Sequence, residues 1–226
     1  MFRHISGPIH FLVSNSMDSN IGFIDGGDRK VLIDAGTGIY HNNLDKDLRT
    51  LGTSADAVTD IILTHSHIDH IGGVIPFLEG NTPKIHLHRA EGELINSGDM
   101  MMTLGNTFGV DLPPFKIDNL LEEGSTITLG DVHLKVYSTP GHSIGSICLH
   151  EVNLGVLFTG DTMFPGGSFG RVDFPGGSSM DLVSSLKRIS ELEFLVALPG
   201  HMNAVTSNAK DHAKSSYNMA RNWFRH

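Results

Sequence analysis

The six residues His65-Ser66-His67-Ile68-Asp69-His70 arrive directly after the apolar run Asp60-Ile61-Ile62-Leu63-Thr64, and they place four metal-ligating side chains on one short turn. Few folds accommodate that. A strand ending at Thr64 fixes His65 rigidly, the turn swings His67 alongside it, and Asp69 with His70 can face a second ion close by. The pattern reads as a dinuclear metal-site signature. The alternative is a solvated polar loop with adventitious histidines, and the rarity of H-x-H-x-D-H by chance weighs against it.

Three downstream residues add to the first four. His142 lies in Ser138-Thr139-Pro140-Gly141-His142-Ser143, Asp161 in Leu157-Phe158-Thr159-Gly160-Asp161-Thr162, and His201 in Ala197-Leu198-Pro199-Gly200-His201. Each follows an apolar run and a Gly, the context of a side chain leaving a strand end to point into a cleft. With these positions the chain resembles the metallo-β-lactamase superfamily, and in particular its glyoxalase II-related branch, the hydroxyacylglutathione hydrolases. The resemblance runs from Leu32-Ile33-Asp34-Ala35-Gly36 through Gly200-His201 and fills all seven ligand positions of that family.

The resemblance implies an α/β fold, an αββα sandwich of two mixed β-sheets with helices on the outer faces. It implies two divalent metal ions per chain, one on His65, His67 and His142, the other on Asp69, His70 and His201, with Asp161 bridging both. Asp69 and Asp161 are the candidate catalytic carboxylates. Imidazole nitrogens suit zinc first, with iron or manganese also accepted, and a carboxylate can span two ions. Two such ions lower the pKa of a bound water to about 7, so hydrolysis needs no side-chain base. No serine sits in a G-x-S-x-G elbow that would offer another nucleophile. Asp34 lies under the metal site in the resembled family and orients a ligand there. A turn residue capping Ala35-Gly36 is the other reading of the same aspartate.

Composition narrows the class. A chain of 226 residues with 39% hydrophobic residues can bury a core as one domain, residues 1–226, and contains no linker or low-complexity tract. The net charge of −9, with no basic run longer than two residues, is poor equipment for a phosphate backbone, so nucleic acid is not an expected partner. Cys148, the one cysteine, sits in the apolar run Ile144 to Leu149 and reads as a packed core thiol. No segment reaches the length of a membrane span and the N-terminus has no secretory pattern, so no membrane partner and a cytoplasmic location are expected.

Along the chain, apolar runs at Ile9 to Ser14, Ile21 to Asp25 and Lys30 to Asp34 predict a β-meander, with a hairpin turn at Gly26-Gly27-Asp28. Leu44 to Leu51 reads as a helix, Ala57 to Thr64 as a buried strand, Gly72 to Leu78 as a short helix and Lys84 to His88 as a strand. Ala90 to Val110 reads as helical but irregular, because it carries Gly98, Gly105 and Met100-Met101-Met102. Strands follow at Thr126 to Leu129, Val132 to Tyr137, Ser146 to Glu151 and Val156 to Thr159. The end alternates: helix Asp181 to Leu192, strand Phe194 to Leu198, and a terminal helix Ser207 to Trp223 capped by Ser207 or Asn208. His86 and His88, on one strand, are read as satisfied groups away from the ligand motifs, and His4, His10, His41, His133, His150, His212 and His226 have no ligand-like context.

The run from Gly160 to Gly177 is the most discriminating stretch. It is similar to the glyoxalase II-like pattern in which Gly-Arg-Thr-Asp follows the bridging aspartate, with Val172 here in place of Thr. Persulfide dioxygenases carry a similar segment. Arg171 is a candidate substrate contact, or else the partner of Asp173 in a buried or loop-fixing ion pair. Met101 and Phe108 are candidate substrate contacts on a movable wall spanning Leu94 to Phe115; three adjacent methionines equally suit a core gap or a homodimer interface.

A thiolate leaves with little help from a general acid, whereas an alkoxide usually needs a proton. A small-molecule thioester is therefore the expected substrate. Tyr40, Tyr137 or Tyr217 would have to supply the proton for lactone opening. The glutathione-dependent hydrolases carry a further helical domain with basic residues for glutathione, whereas one helix follows His201 in these 226 residues, so a glutathione clamp is not expected. The rival readings are a mononuclear iron persulfide dioxygenase using His65 or His67, His142 and Asp161, a lactonase, and a non-catalytic metal-stabilised scaffold.

Overall fold

The computed structural model describes residues 1–14 and 17–225, so His226 lies outside the described residues. Strands β1 (Arg3–Ser6), β2 (Ile9–Leu12), β3 (Ile21–Asp25) and β4 (Lys30–Ile33) form the antiparallel meander. The hairpin between β3 and β4 closes at Gly26-Gly27-Asp28, where the Gly26 N–H donates to Arg29 O at 2.9 Å and Gly27 takes φ +77°. That conformation is one glycine enters without strain. The chain then crosses through α1 (His41–Arg49) to β5 (Asp60–Ile62), through α2 (Ile68–Ile71) and α3 (Val74–Leu78) to β6 (Lys84–His88), and through α4 (Arg89–Asn96) and α5 (Gly105–Phe108) to β7 (Asn119–Leu121). From β4 to β7 every pairing is parallel, with Ile33 opposite Ile62 and Ile62 opposite His86.

The second sheet has five strands in the order β12-β11-β10-β9-β8. Strands β8 (Thr126–Leu129), β9 (Val132–Ser138), β10 (Ile147–Glu151) and β11 (Val156–Gly160) run antiparallel, and β12 (Val196–Pro199) lies parallel to β11 after the helix α6 (Ser179–Ser190). Helix α7 (Ala209–Trp223) follows. Both sheets are mixed, and three apolar layers define the sandwich. Ile24, Val31, Ile62, Leu134, Leu149 and Phe158 pack between the sheets. Leu32, Leu48, Ile61, Phe77 and Ile85 cover the outer face of the first sheet beneath α1 to α4. Leu157, Leu182, Leu186 and Ala213 do the same for the second beneath α6 and α7. Because β10 and β11 are covered on both faces, every residue in them is buried and no polar alternation marks them.

Several expectations shift. β1 and β7 are strands that the sequence reading left out, one polar and one only three residues long, both at an edge of the first sheet. The helix expected from Ala90 to Val110 is three pieces, broken at Gly98 with φ +87° and again at Leu104 with φ +60°. The helix expected from Gly72 to Leu78 is α3, starting at Val74, and a further short helix, α2, lies ahead of it inside the metal turn at Ile68. Asn208 precedes α7 in a left-handed conformation, but its side chain makes no capping bond. Among the described residues no helix is long and apolar enough to cross a membrane. Cys148 is fully buried and burial pushes its thiol up to about 11, which fits a core group.

Candidate metal centre and its cleft

All seven candidate ligands lie on segments that follow strand ends. His65 and His67 follow β5, Asp69 and His70 lie on α2, His142 is on the β9–β10 loop, Asp161 follows β11 and His201 follows β12. The glycines before them set the approach: at Gly200 an added Cβ would lie 2.1 Å from Asp161 Oδ1, and at Gly160 2.8 Å from Thr64 Cβ. No other residue lets these loops come so close.

The structure brings the seven together. Ligand atoms of His65, His67 and His142 lie within 4.8 Å of one another, and so do those of Asp69, His70 and His201. Asp161 stands between the two sets, with Oδ1 3.4 Å from His70 Nε2 and Oδ2 3.5 Å from both His142 Nε2 and His201 Nε2. His65 and His70 are fully buried, whereas His201 is about one-third exposed and opens toward the cleft.

Hydrogen bonds at the back of the histidines fix which nitrogen is bare. His70 Nδ1 donates to Asp34 Oδ2 at 2.8 Å, because a carboxylate can only accept. His142 Nδ1 donates to the Arg171 carbonyl at 2.7 Å. Thr64 gives its hydroxyl proton to Asp34, so its oxygen accepts from His65 Nδ1 at 3.1 Å. Each Nε2 is then a lone pair aimed into the centre. Asp34, at φ +62° and 2% exposed, is thus packed beneath His70 and also holds the Thr64 N–H at 2.8 Å.

Charge is divided across the cluster. Burial, reinforced by the neighbouring imidazoles, holds His65 well below its ordinary value and pushes His67 down to about 3. Burial also opposes charge on His70, but Asp34, Asp69 and Asp161 outweigh it and raise its pKa. Burial works against ionised Asp161 too, and His70, His142 and His201 overcome it and lower its pKa.

This donor set fits a pair of divalent cations. His70 Nε2, His142 Nε2 and Asp161 Oδ1 are buried without a hydrogen-bond partner, and His65 Nε2 points at His67 Nδ1 from 3.1 Å. Buried polar atoms left bare are costly unless something else satisfies them. Here they all converge on the volume between the two triads.

Above the centre lies a cleft of about 430 Å³. Its floor is His67, Asp69, His142, Asp161 and His201; its walls include Leu104, Phe108, Phe164, Phe169, Arg171 and Phe174. Phe108 and Arg171 therefore line this cleft. Met101 does not: it is 57% exposed and outside the lining, while Met100 packs on the core and Met102 lies beside Gly176. The Arg171–Asp173 pair forms, with bonds of 2.6 and 2.5 Å, but both residues are exposed, so it is not the buried pair that was one reading of the sequence. None of Tyr40, Tyr137 and Tyr217 lines the cleft.

Three supporting residues were missed by the sequence reading. Thr64 relays His65 to Asp34, as above. Asn20 ties the loops together, its Nδ2 donating to Pro199 O at 2.9 Å and Met202 O at 2.7 Å while its N–H donates to Gly200 O at 2.7 Å. Glu91 on α4 is fully buried and accepts from the Gly145 N–H at 3.2 Å, close to Ser66 and Ser143. It thereby joins the loop of His65 and His67 to that of His142. Only Glu91 left a trace in the sequence, as an acid on the apolar side of a predicted helix. His86 and His88 are satisfied as expected, on Asp60 Oδ1 at 2.8 Å and Ser138 Oγ at 3.1 Å.

Comparison with known proteins agrees with this architecture. Human acyl-coenzyme A thioesterase MBLAC2 is 31% identical over 226 residues, covering 88% of this chain and 78% of the human protein. Glyoxylase B2 of Dictyostelium discoideum is 36% identical over 135 residues, 58% of this chain and 45% of its own length. Among solved structures, TTHA1623 in a di-iron-bound form superposes with a TM-score of 0.71 at 29% identity, over 87% of this chain and 93% of that one. The family model of the metallo-beta-lactamase superfamily matches residues 16–201. With that match running from ahead of β3 through β12 and taking in all seven candidate ligands, the chain belongs to the metallo-beta-lactamase superfamily.

Proposed function

We propose that this chain is a metal-dependent thioesterase of the glyoxalase II type that hydrolyses a small acyl thioester. The observation that carries it is the pair of ligand triads sharing Asp161 on the floor of an open cleft. His65, His67 and His142 would hold one divalent ion and Asp69, His70 and His201 the other, with zinc, iron and manganese all acceptable to this set. Bound there, two such ions supply a water that is nucleophilic at neutral pH and polarise the acyl carbonyl. The chain's own part is to keep each Nε2 bare through Asp34, Thr64 and the Arg171 carbonyl, and to keep the cleft open beside His201. Among the described residues the cleft lining has no tyrosine or lysine to protonate a leaving group, and its two acids face histidines. A thiolate leaves without such help, and an alkoxide does not. The relative MBLAC2, an acyl-coenzyme A thioesterase by name, supports the same reaction class.

Elemental analysis of chelator-free protein, run beside a substrate panel, tests this. Two metal equivalents per chain are expected, with hydrolysis of S-lactoylglutathione and other acyl thioesters. His201→Ala should lose part of the second site and about 10²-fold in kcat. One equivalent of iron with oxygen consumed on adding a persulfide would replace this reading by the dioxygenase. A lactone preferred over every thioester by more than about tenfold in kcat/KM would replace it by the lactonase.

A further inference from the structure

The thioesterase reading leaves open what the acyl group is, and the cleft walls bear on it. On the His67 side, Phe174 meets the His67 ring edge-on at 5.5 Å and Phe108 at 6.2 Å. On the His201 side, Phe164 packs against the His201 ring at 6.1 Å. Leu104 completes the wall from a left-handed backbone, φ +60°, a conformation that costs a leucine energy and that is held here with its side chain 3% exposed. Its carbonyl accepts from the Phe108 N–H at 3.1 Å, so the strained residue also anchors Phe108.

The polar inventory of the cleft is short. Apart from the candidate metal ligands, Arg171 is the lone polar side chain among the described lining residues. Its guanidinium donates two bonds to Asp173 and lies 4.2 Å over the Phe174 ring, which engages it in an ion pair and a ring contact. A site selects a hydroxylated substrate by placing a partner for the hydroxyl, and an apolar wall selects by methylenes. We infer that Leu104, Phe108, Phe164 and Phe174 form an acyl pocket that selects an apolar acyl group, a medium-chain fatty acyl or arylacetyl thioester, over a 2-hydroxyacyl one.

This inference rests on the thioesterase reading, and one experiment separates the two. Lactoyl, butanoyl, hexanoyl and phenylacetyl esters of the same neutral thiol, N-acetylcysteamine, are compared by kcat/KM. Hexanoyl or phenylacetyl should exceed lactoyl by about tenfold or more, chiefly through KM. Phe108→Ala, at a half-exposed position where folding is not at stake, should shrink that ratio by about tenfold. Lactoyl preferred by the wild type, or a ratio untouched by Phe108→Ala, overturns the pocket and leaves the thioesterase standing. If no thioester turns over, the thioesterase reading falls, and calorimetry of hexanoate against acetate decides the pocket by itself. Hexanoate binding tighter by about tenfold and weakened in Phe108→Ala supports it; equal binding overturns it.

Discussion

Asp34→Asn should weaken metal binding while leaving the fold standing, and the reason is a proton position. The Asp34 carboxylate accepts from the Thr64 N–H at 2.8 Å, from the Thr64 hydroxyl, and from His70 Nδ1 at 2.8 Å. Asparagine keeps an oxygen for the Thr64 N–H and tolerates the left-handed φ of +62°. Its amide, however, presents a donor where His70 Nδ1 now finds an acceptor. To stay paired, His70 must move its proton to Nε2, the atom 3.4 Å from Asp161 and 3.7 Å from Asp69. A ligand nitrogen carrying a proton cannot donate its lone pair. Loss of a partner behind a metal-ligating histidine costs about 10- to 100-fold in metal affinity, or about 1.4 to 2.7 kcal/mol. Asp34→Ala is the wrong variant, because it strips every acceptor from three buried donors and puts alanine at positive φ. About 5 kcal/mol or more is lost that way, a large part of a domain's whole stability. Chelator competition for the bound metal, with urea unfolding alongside, is the assay. A folded Asp34→Asn protein with wild-type metal affinity would refute the tautomer argument.

Further expectations concern the scaffold. Gly200→Ala would put a methyl 2.1 Å from Asp161 Oδ1 and 2.7 Å from His70 Cε1, so it should abolish metal retention at about 1 to 3 kcal/mol in stability; elemental analysis with retained metal would contradict that. Glu91→Ala should lower the melting temperature by leaving the buried Gly145 N–H unpaired, at about 1 to 3 kcal/mol, and Glu91→Gln should recover most of it by calorimetry. Asp60 is buried, which disfavours its charge, but bonds from His86, Arg29 and Thr59 prevail and hold its pKa below the usual carboxylate range. Its contribution is therefore present above about pH 4 and drains as pH falls from there toward the lowered folded value. Asp60→Asn should cost about 3 kcal/mol at pH 7 by urea unfolding, with the gap to wild type narrowing as the pH is taken below 4; a gap independent of pH would count against the paired carboxylate.

How much of this was legible follows from where each signal lives. The metal centre is local: a strand end, a Gly and a ligand are adjacent in the chain, so His142, Asp161 and His201 announce themselves as His65 to His70 do. Their meeting is tertiary, yet the fold resembled supplied it. The support behind them was only partly legible. Asp34 stood out beside Ala35-Gly36, but Thr64 reads as the last residue of a strand, and Asn20 as one more polar residue in a loop, until the backbone brings Pro199 and Gly200 to it. Short edge strands hid for a simpler reason. Arg3 to Ser6 and Asn119 to Leu121 have one face or one edge unburied, so little apolar alternation is imposed on them.

The cleft walls were the least legible part, and Met101 shows why. A run of three methionines marks an apolar segment, but which of the three faces substrate depends on where the helix breaks. Gly98 ends α4, a 3-10 turn spans Met101–Thr103, and left-handed Leu104 redirects the chain, so that Leu104 and Phe108 face the cleft while Met101 faces out. Gly98 is a local stop, closed by the Asp99 N–H on Leu94 O at 2.9 Å, but no periodicity in the sequence encodes a left-handed leucine at 104. The ligand set is thus written in adjacent residues, whereas the proposed acyl preference is written in loop geometry at Leu104 and in the edge-on contact of Phe108 and Phe174. Substitutions at Leu104 and Phe108 can change the substrate without touching the candidate metal centre, whereas Phe174, edge-on to the His67 ring at 5.5 Å, couples the wall to it.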